Sequence, residues 1–126
     1  MNLLLDTHVL LWWLFDDRRL PRRARLLIEA PEANVQTSVV SLWETSIKVA
    51  LKRAAADPLE LYHAILDSGF GLLSIAPLHA VAVASLPRHH GDPFDRMLIA
   101  QAQAERLTLV THDRTLAAYE VAMEIV

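Results

Sequence analysis

The feature that most constrains this chain is an alternation. Short apolar runs, each too brief for a helix, are separated by longer stretches with helical spacing, and two of the short runs lead into an aspartate. Residues 2–5 run straight into Asp6, and residues 108–110 are followed closely by Asp113. Short continuous apolar runs with no alternation of polar residues are strands buried on both faces, and such strands belong to parallel sheets covered by helices. Further strands are expected at 34–37 and 72–75, with a fifth within 122–126. Helices are predicted over 7–15, 21–30, 38–52, 58–68, 78–86 and 93–105, with a short one over 114–119. Pro21, Pro58 and Pro93 suit first helical turns, and Gly69 and Gly71 close the helix before the third strand. The expected fold class is α/β: a central parallel sheet of four to five strands with helices on both faces.

A chain of 126 residues has room for one core of useful size, so a single domain over 1–126 is expected. Cysteine is absent, which excludes disulfides, zinc–thiolate sites and a cysteine nucleophile. The first residues carry no basic leader, and no apolar run approaches the ~20 residues a membrane-spanning helix needs. A cytoplasmic protein without membrane contact is expected. The net charge of −3 by itself disfavours a nucleic-acid ligand. If four acids gather in one pocket, however, the remainder carries −3 + 4 = +1, and bound divalent cations reverse the pocket's own sign.

Sites in open parallel sheets lie beyond the carboxyl ends of the strands. Asp6 and Asp113 fall there, Asp95 lies in the first turn of one helix and Glu44 in the second turn of another. Each acid has a plain structural alternative. Asp6 and Asp113 can cap the helices that follow them, Asp92 can cap the helix that carries Asp95, Ser41 with Glu44 resembles a capping box, and Glu44 can pair with Lys48. A cluster of all four is another matter, because two carboxylates about 4 Å apart repel by roughly 4 kcal/mol at an effective dielectric near 20. A hard divalent cation offsets that repulsion, and two-metal phosphodiester hydrolysis uses such a cluster.

Four segments carry a resemblance to a known family: Asp6-Thr7-His8 followed by Leu10, Leu11 and Trp12; the stretch from Ser38 through Ser41 to Glu44; Asp92-Pro93-Phe94-Asp95-Arg96 continuing to Ala102; and Thr111-His112-Asp113. In this order and at these intervals they resemble the PIN-domain ribonucleases, and among them the VapC-type toxins. The resemblance covers essentially the whole chain. It implies that Asp6, Glu44, Asp95 and Asp113 hold Mg2+ or Mn2+ and catalyse RNA hydrolysis, with Thr7, Ser41 and Thr111 in support. Asp6 and Asp95 are expected as principal ligands, Asp113 as a ligand or water-mediated partner, and Glu44 as a ligand or the group that orients water. It further implies the toxin of a type II pair acting on tRNA or rRNA, a protein antitoxin and a homodimer. The apolar helix from Val9 to Phe15 and the next helix are the expected interface.

His89 and His90 match no metal motif and are expected in a solvated loop that touches RNA. The arginines between Arg18 and Arg25 read as a solvated helix face, and Trp12, Trp13 and Trp43 as core or interface packing. A receiver-like phosphoacceptor domain also gathers acids at strand ends, but it needs a lysine after a late strand. The only lysines here, Lys48 and Lys52, lie on a helix. A PIN-like module that binds RNA without cutting it is the other alternative.

Overall fold

Leu3, Leu4 and Leu5 are fully buried, which a strand achieves only when both of its faces are covered. In the computed structural model, which describes residues 1–126, they lie on β1 (Asn2–Leu5), the middle strand of a five-stranded parallel sheet. The others are β2 (Asn34–Ser38), β3 (Gly71–Leu73), β4 (Thr108–Thr111) and β5 (Met123–Ile125), in the order β3-β2-β1-β4-β5. Leu3 and Leu5 face one core with Val9 and Leu10 of α1 (Thr7–Leu14), Ala24 and Ile28 of α2 (Arg22–Glu29), and Leu61 and Ile65 of α4 (Pro58–Asp67). Leu4 faces a second core with Leu98, Ile99 and Ala102 of α6 (Pro93–Glu105) and Leu109 of β4. Each such leucine contributes roughly 1.5–3 kcal/mol when taken out of water.

The chain moves outward from β1 to β2 and β3, then returns through α6 to place β4 on the other side of β1. The strand order therefore reverses between β1 and β4. Connections leave these two strands in opposite directions, which opens a crevice at their carboxyl ends. The Asp6 N–H donates to the Val110 carbonyl at 3.0 Å and locks the two strands together at that edge.

The elements agree with expectation in number and type, apart from local differences. β3 begins at Gly71 rather than Leu72 because Gly71 pairs with Gln36, where an added Cβ would come within 3.3 Å of the Gln36 side chain. The predicted helix over 78–86 is α5 (Pro77–Ala82) followed by a tighter 3-10 turn at Val83–Ser85, and the Arg96 guanidinium takes the Val83 and Leu86 carbonyls. Residues Arg114–Ala118 also form a 3-10 turn. Pro21 precedes α2 rather than lying within it, and α3 (Val39–Ala50) is capped by the Ser38 hydroxyl. No helix is long and apolar enough to cross a membrane.

Candidate active site

Asp6 stands at the end of β1 as the N-cap of α1, one carboxylate oxygen accepting from the Val9 N–H at 2.9 Å. Its other oxygen accepts from the Thr111 hydroxyl, which in turn accepts from the Asp113 N–H at 3.0 Å. A hydroxyl at the end of β4 thus ties the acid after β1 to the acid after β4. Burial pushes the Asp6 carboxyl above its ordinary range, and the bonds from Thr111 and Val9 only partly offset this.

Glu44 reaches the crevice from the second turn of α3 and is also buried. Thr7 donates to one of its oxygens at 2.8 Å, and Lys48, one turn on, approaches the other at 2.5 Å. Since the single Thr7 proton goes to Glu44, the neighbouring Ser41 hydroxyl donates to Thr7 at 2.9 Å. Ser41 is therefore no capping residue: it lies fully buried within α3, and Ser38 holds the cap. The pairing of Glu44 with Lys48 does form.

Asp95 comes from the first turn of α6, whose start is fixed by Pro93 and by Asp92, which accepts from the N–H groups of Phe94 and Asp95. The Asp95 carboxyl is pushed up to about 7, by burial first and then by the negative charges of Asp92, Asp6 and Glu44. That shift is the electrostatic mark of a cluster that lacks enough positive charge. Asp113 behaves oppositely: burial raises it, but the hydroxyl and N–H of Thr115, together with His90, bring it below its ordinary value.

His90 was expected in a solvated loop, and the structure corrects this. Its Nε2 lies 3.3 Å from Asp113 Oδ2 and 3.6 Å from Asp95 Oδ2, so that His90, Asp95 and Asp113 bring three potential ligand atoms within 4.8 Å of one another. The ring is held from behind: Nδ1 accepts from the Asp92 N–H at 3.0 Å, which puts the proton of the neutral ring on Nε2, toward the carboxylates. The loop is held too. The His90 N–H donates to the Tyr119 hydroxyl, and Arg96 donates to that hydroxyl and to the Pro87 carbonyl. Spacing could not reveal His90, because it enters through bonds to residues far along the chain.

The expected acids thus meet from four separate segments, with His90 beside them. The tightest group holds Asp95 and Asp113, while Asp6 and Glu44 stand near enough to raise Asp95. Oxygen-rich donors with uncompensated negative charge fit a hard divalent cation.

Comparison with known proteins identifies the family and the fold. The family model described as the PIN domain matches residues 3–122. The chain is 30% identical over 120 residues to "Ribonuclease VapC22" of Mycobacterium tuberculosis, covering 94% of this chain and 92% of that one. Among solved structures it resembles VapBC2 from Rickettsia felis bound to a promoter DNA fragment, with a TM-score of 0.73 at 16% identity over 99% of this chain and 98% of that one. It also resembles VapBC-5 from Mycobacterium tuberculosis, with a TM-score of 0.65 at 24% identity over 99% and 97%. From the match along nearly its whole length, the chain belongs to the PIN domain family.

Proposed function

We propose that this chain is a divalent-cation-dependent endoribonuclease and the toxin of a VapBC-type pair, cleaving tRNA or rRNA in the cytoplasm until a protein antitoxin silences it. The observation that supports this reading most is the convergence of Asp6, Glu44, Asp95 and Asp113 on the β1–β4 crevice, where Asp95 is raised to about 7 by burial first and then by the negative charges around it. The names of the relatives support it as well: one is a ribonuclease, and two solved neighbours are VapBC proteins. A homodimer completes the reading.

In this reading Asp6 and Asp95 are the principal ligands for Mg2+ or Mn2+, Asp113 adds a further oxygen, and Glu44 holds a ligand position or orients water. When bound, the cation supplies Lewis acidity and neutralises charge on the phosphodiester. Thr111 fixes the angle of the Asp6 carboxylate, and Ser41 and Thr7 fix Glu44. Asp6 and Glu44 are thus held in place by bonds to both of their oxygens, which limits rearrangement during the reaction.

The test is cleavage of total RNA in Mg2+ by the wild type and by Asp6→Asn, with cut sites mapped. Loss of cutting by about a hundredfold or more is expected, the scale on which one preorganised electrostatic group contributes. Equal cutting by both proteins would remove the mechanism. The close Lys48 contact on Glu44 favours a second reading, an RNA-binding module that does not cut. RNA binding without cleavage by the wild type would select it.

A further inference from the structure

Next to the acids lies an open cavity of about 290 Å3 lined by Asp6, His8, Trp12, His112 and Asp113. We infer that it is a nucleobase subsite, receiving the base of one nucleotide beside the scissile phosphate of an unpaired RNA strand. The inference rests on the ribonuclease reading and adds to it a recognition element on α1 and after β4.

Three of the five lining residues carry flat rings. Trp12 stands edge-on to His112, with ring centres 5.4 Å apart, and tilted against His8 at 5.8 Å. Such a wall offers π surface to any base, and stacking of this kind does not depend on sequence. The His112 ring also carries a fixed polar edge. Its Nδ1 lies 2.5 Å from a main-chain oxygen of Val126, which can only accept, so Nδ1 bears a proton and Nε2 of the neutral ring keeps a lone pair. An exocyclic amino group is the complementary donor.

The charges argue against other occupants. The acidic lining groups are Asp6 and Asp113, and no lysine or arginine lines the cavity, so no fixed side-chain guanidinium or ammonium holds a phosphate inside it. Trp12 is its single apolar residue, too little for an apolar peptide side chain to gain by entering. A neutral planar group with polar edges fits. The Arg19 guanidinium, 5.6 Å from the centre of the Trp12 ring, is held there by two bonds to Asp17 and packs against the ring at the cavity margin. Because the cavity shares Asp6 and Asp113 with the acid cluster, a base seated in it belongs to a nucleotide next to the cut.

The experiment has two arms. In the first, the tryptophan indole N–H signals are followed by NMR while the four nucleoside 5′-monophosphates are titrated into the Mg2+-loaded protein. The Trp12 signal, identified by its loss in Trp12→Phe, is expected to shift with a preference among bases, and an unmoved Trp12 signal would overturn the inference. In the second, a short RNA is cleaved by the wild type, His8→Ala, Trp12→Phe and Trp12→Leu. Trp12→Leu is expected to raise KM about tenfold, within the range measured for losing one stacked base, and to lose nucleotide preference at one position beside the cut. Trp12→Phe should restore both. Trp12 is half-buried, so the exposed His8 gives a check less tied to stability: His8→Ala should raise KM severalfold with the melting temperature close to that of the wild type. Unchanged KM and cut pattern in His8→Ala and Trp12→Leu, beside an inactive Asp6→Asn, would overturn the subsite and leave the ribonuclease intact. Weakened antitoxin binding with unaltered RNA cleavage would also overturn it, giving the cavity to a protein partner.

Discussion

Asp95 is the residue whose chemistry is most exposed to the state of the site. Its carboxyl keeps a proton up to about pH 7 in the fold, against 3.8 ordinarily, so between those values the folded chain binds more protons than the unfolded one. Stability of the cation-free protein should therefore fall as pH rises through that window and level off above it. Asp95→Asn should flatten the slope and raise the melting temperature at pH 8 by a few degrees, as read by thermal denaturation in EDTA at a series of pH values. An unchanged slope would mean that Asp95 is not the group under strain. The same reasoning makes cation binding weaker below pH 7, where proton and cation compete for one carboxylate. Of the site at this scale, the four acids were legible, because an acid beyond a buried strand or in a first helical turn has few places to point. His90 was not. Nothing near it in sequence shows that it is drawn back over Asp95 and Asp113.

Among the elements, α6 does the most to assemble the site. Its first turn presents Asp95, and the next residue, Arg96, turns away to donate to the carbonyls of Val83, Leu86 and Pro87 and to the Tyr119 hydroxyl. Further on, buried Gln101 accepts from the Ser38 hydroxyl at 2.6 Å, so α6 also grips the cap of the helix that bears Glu44. The Asp-Pro-Phe-Asp-Arg stretch thus carries a cap, an acid of the crevice and a clamp within five residues. Arg96→Met should cost about 2 kcal/mol, as expected when several bonds from one charged group are lost, and should lower activity although every acid remains. Chemical denaturation and cleavage assays would check the pair of effects, and a fully stable, fully active variant would contradict the clamp. Strand and helix types were readable because apolar runs and helical periodicity are local properties. The 3-10 turn before Pro87 was not, because Arg96 sets it from another element. Of the two helices expected at an interface, α1 is mostly buried or half-buried, whereas α2 exposes Leu26; Leu59 and Leu66 of α4 are exposed as well.

As a whole the molecule carries a charge of −3, and on the proposed reading its acid crevice has to accept an anionic polymer. RNA affinity should accordingly depend on the divalent ion more than on general basicity. Replacing Mg2+ by EDTA should weaken RNA binding on the order of tenfold, with a shallow dependence on monovalent salt, since each phosphate contact to a single strand contributes a slope of about −0.7. Fluorescence anisotropy with a labelled oligonucleotide measures both, and a steep salt slope that persists in EDTA would point instead to a basic surface. The sheet class was legible from alternation, but strand order was not, because local runs do not say which neighbours pair. That order has a temporal consequence. Asp6 and its hydroxyl donor, Thr111, are 105 residues apart. While the polypeptide is still being threaded out of the ribosome, the half-born molecule holds Asp6 without the strand that anchors it; on the proposed reading there are no scissors until β4 has emerged.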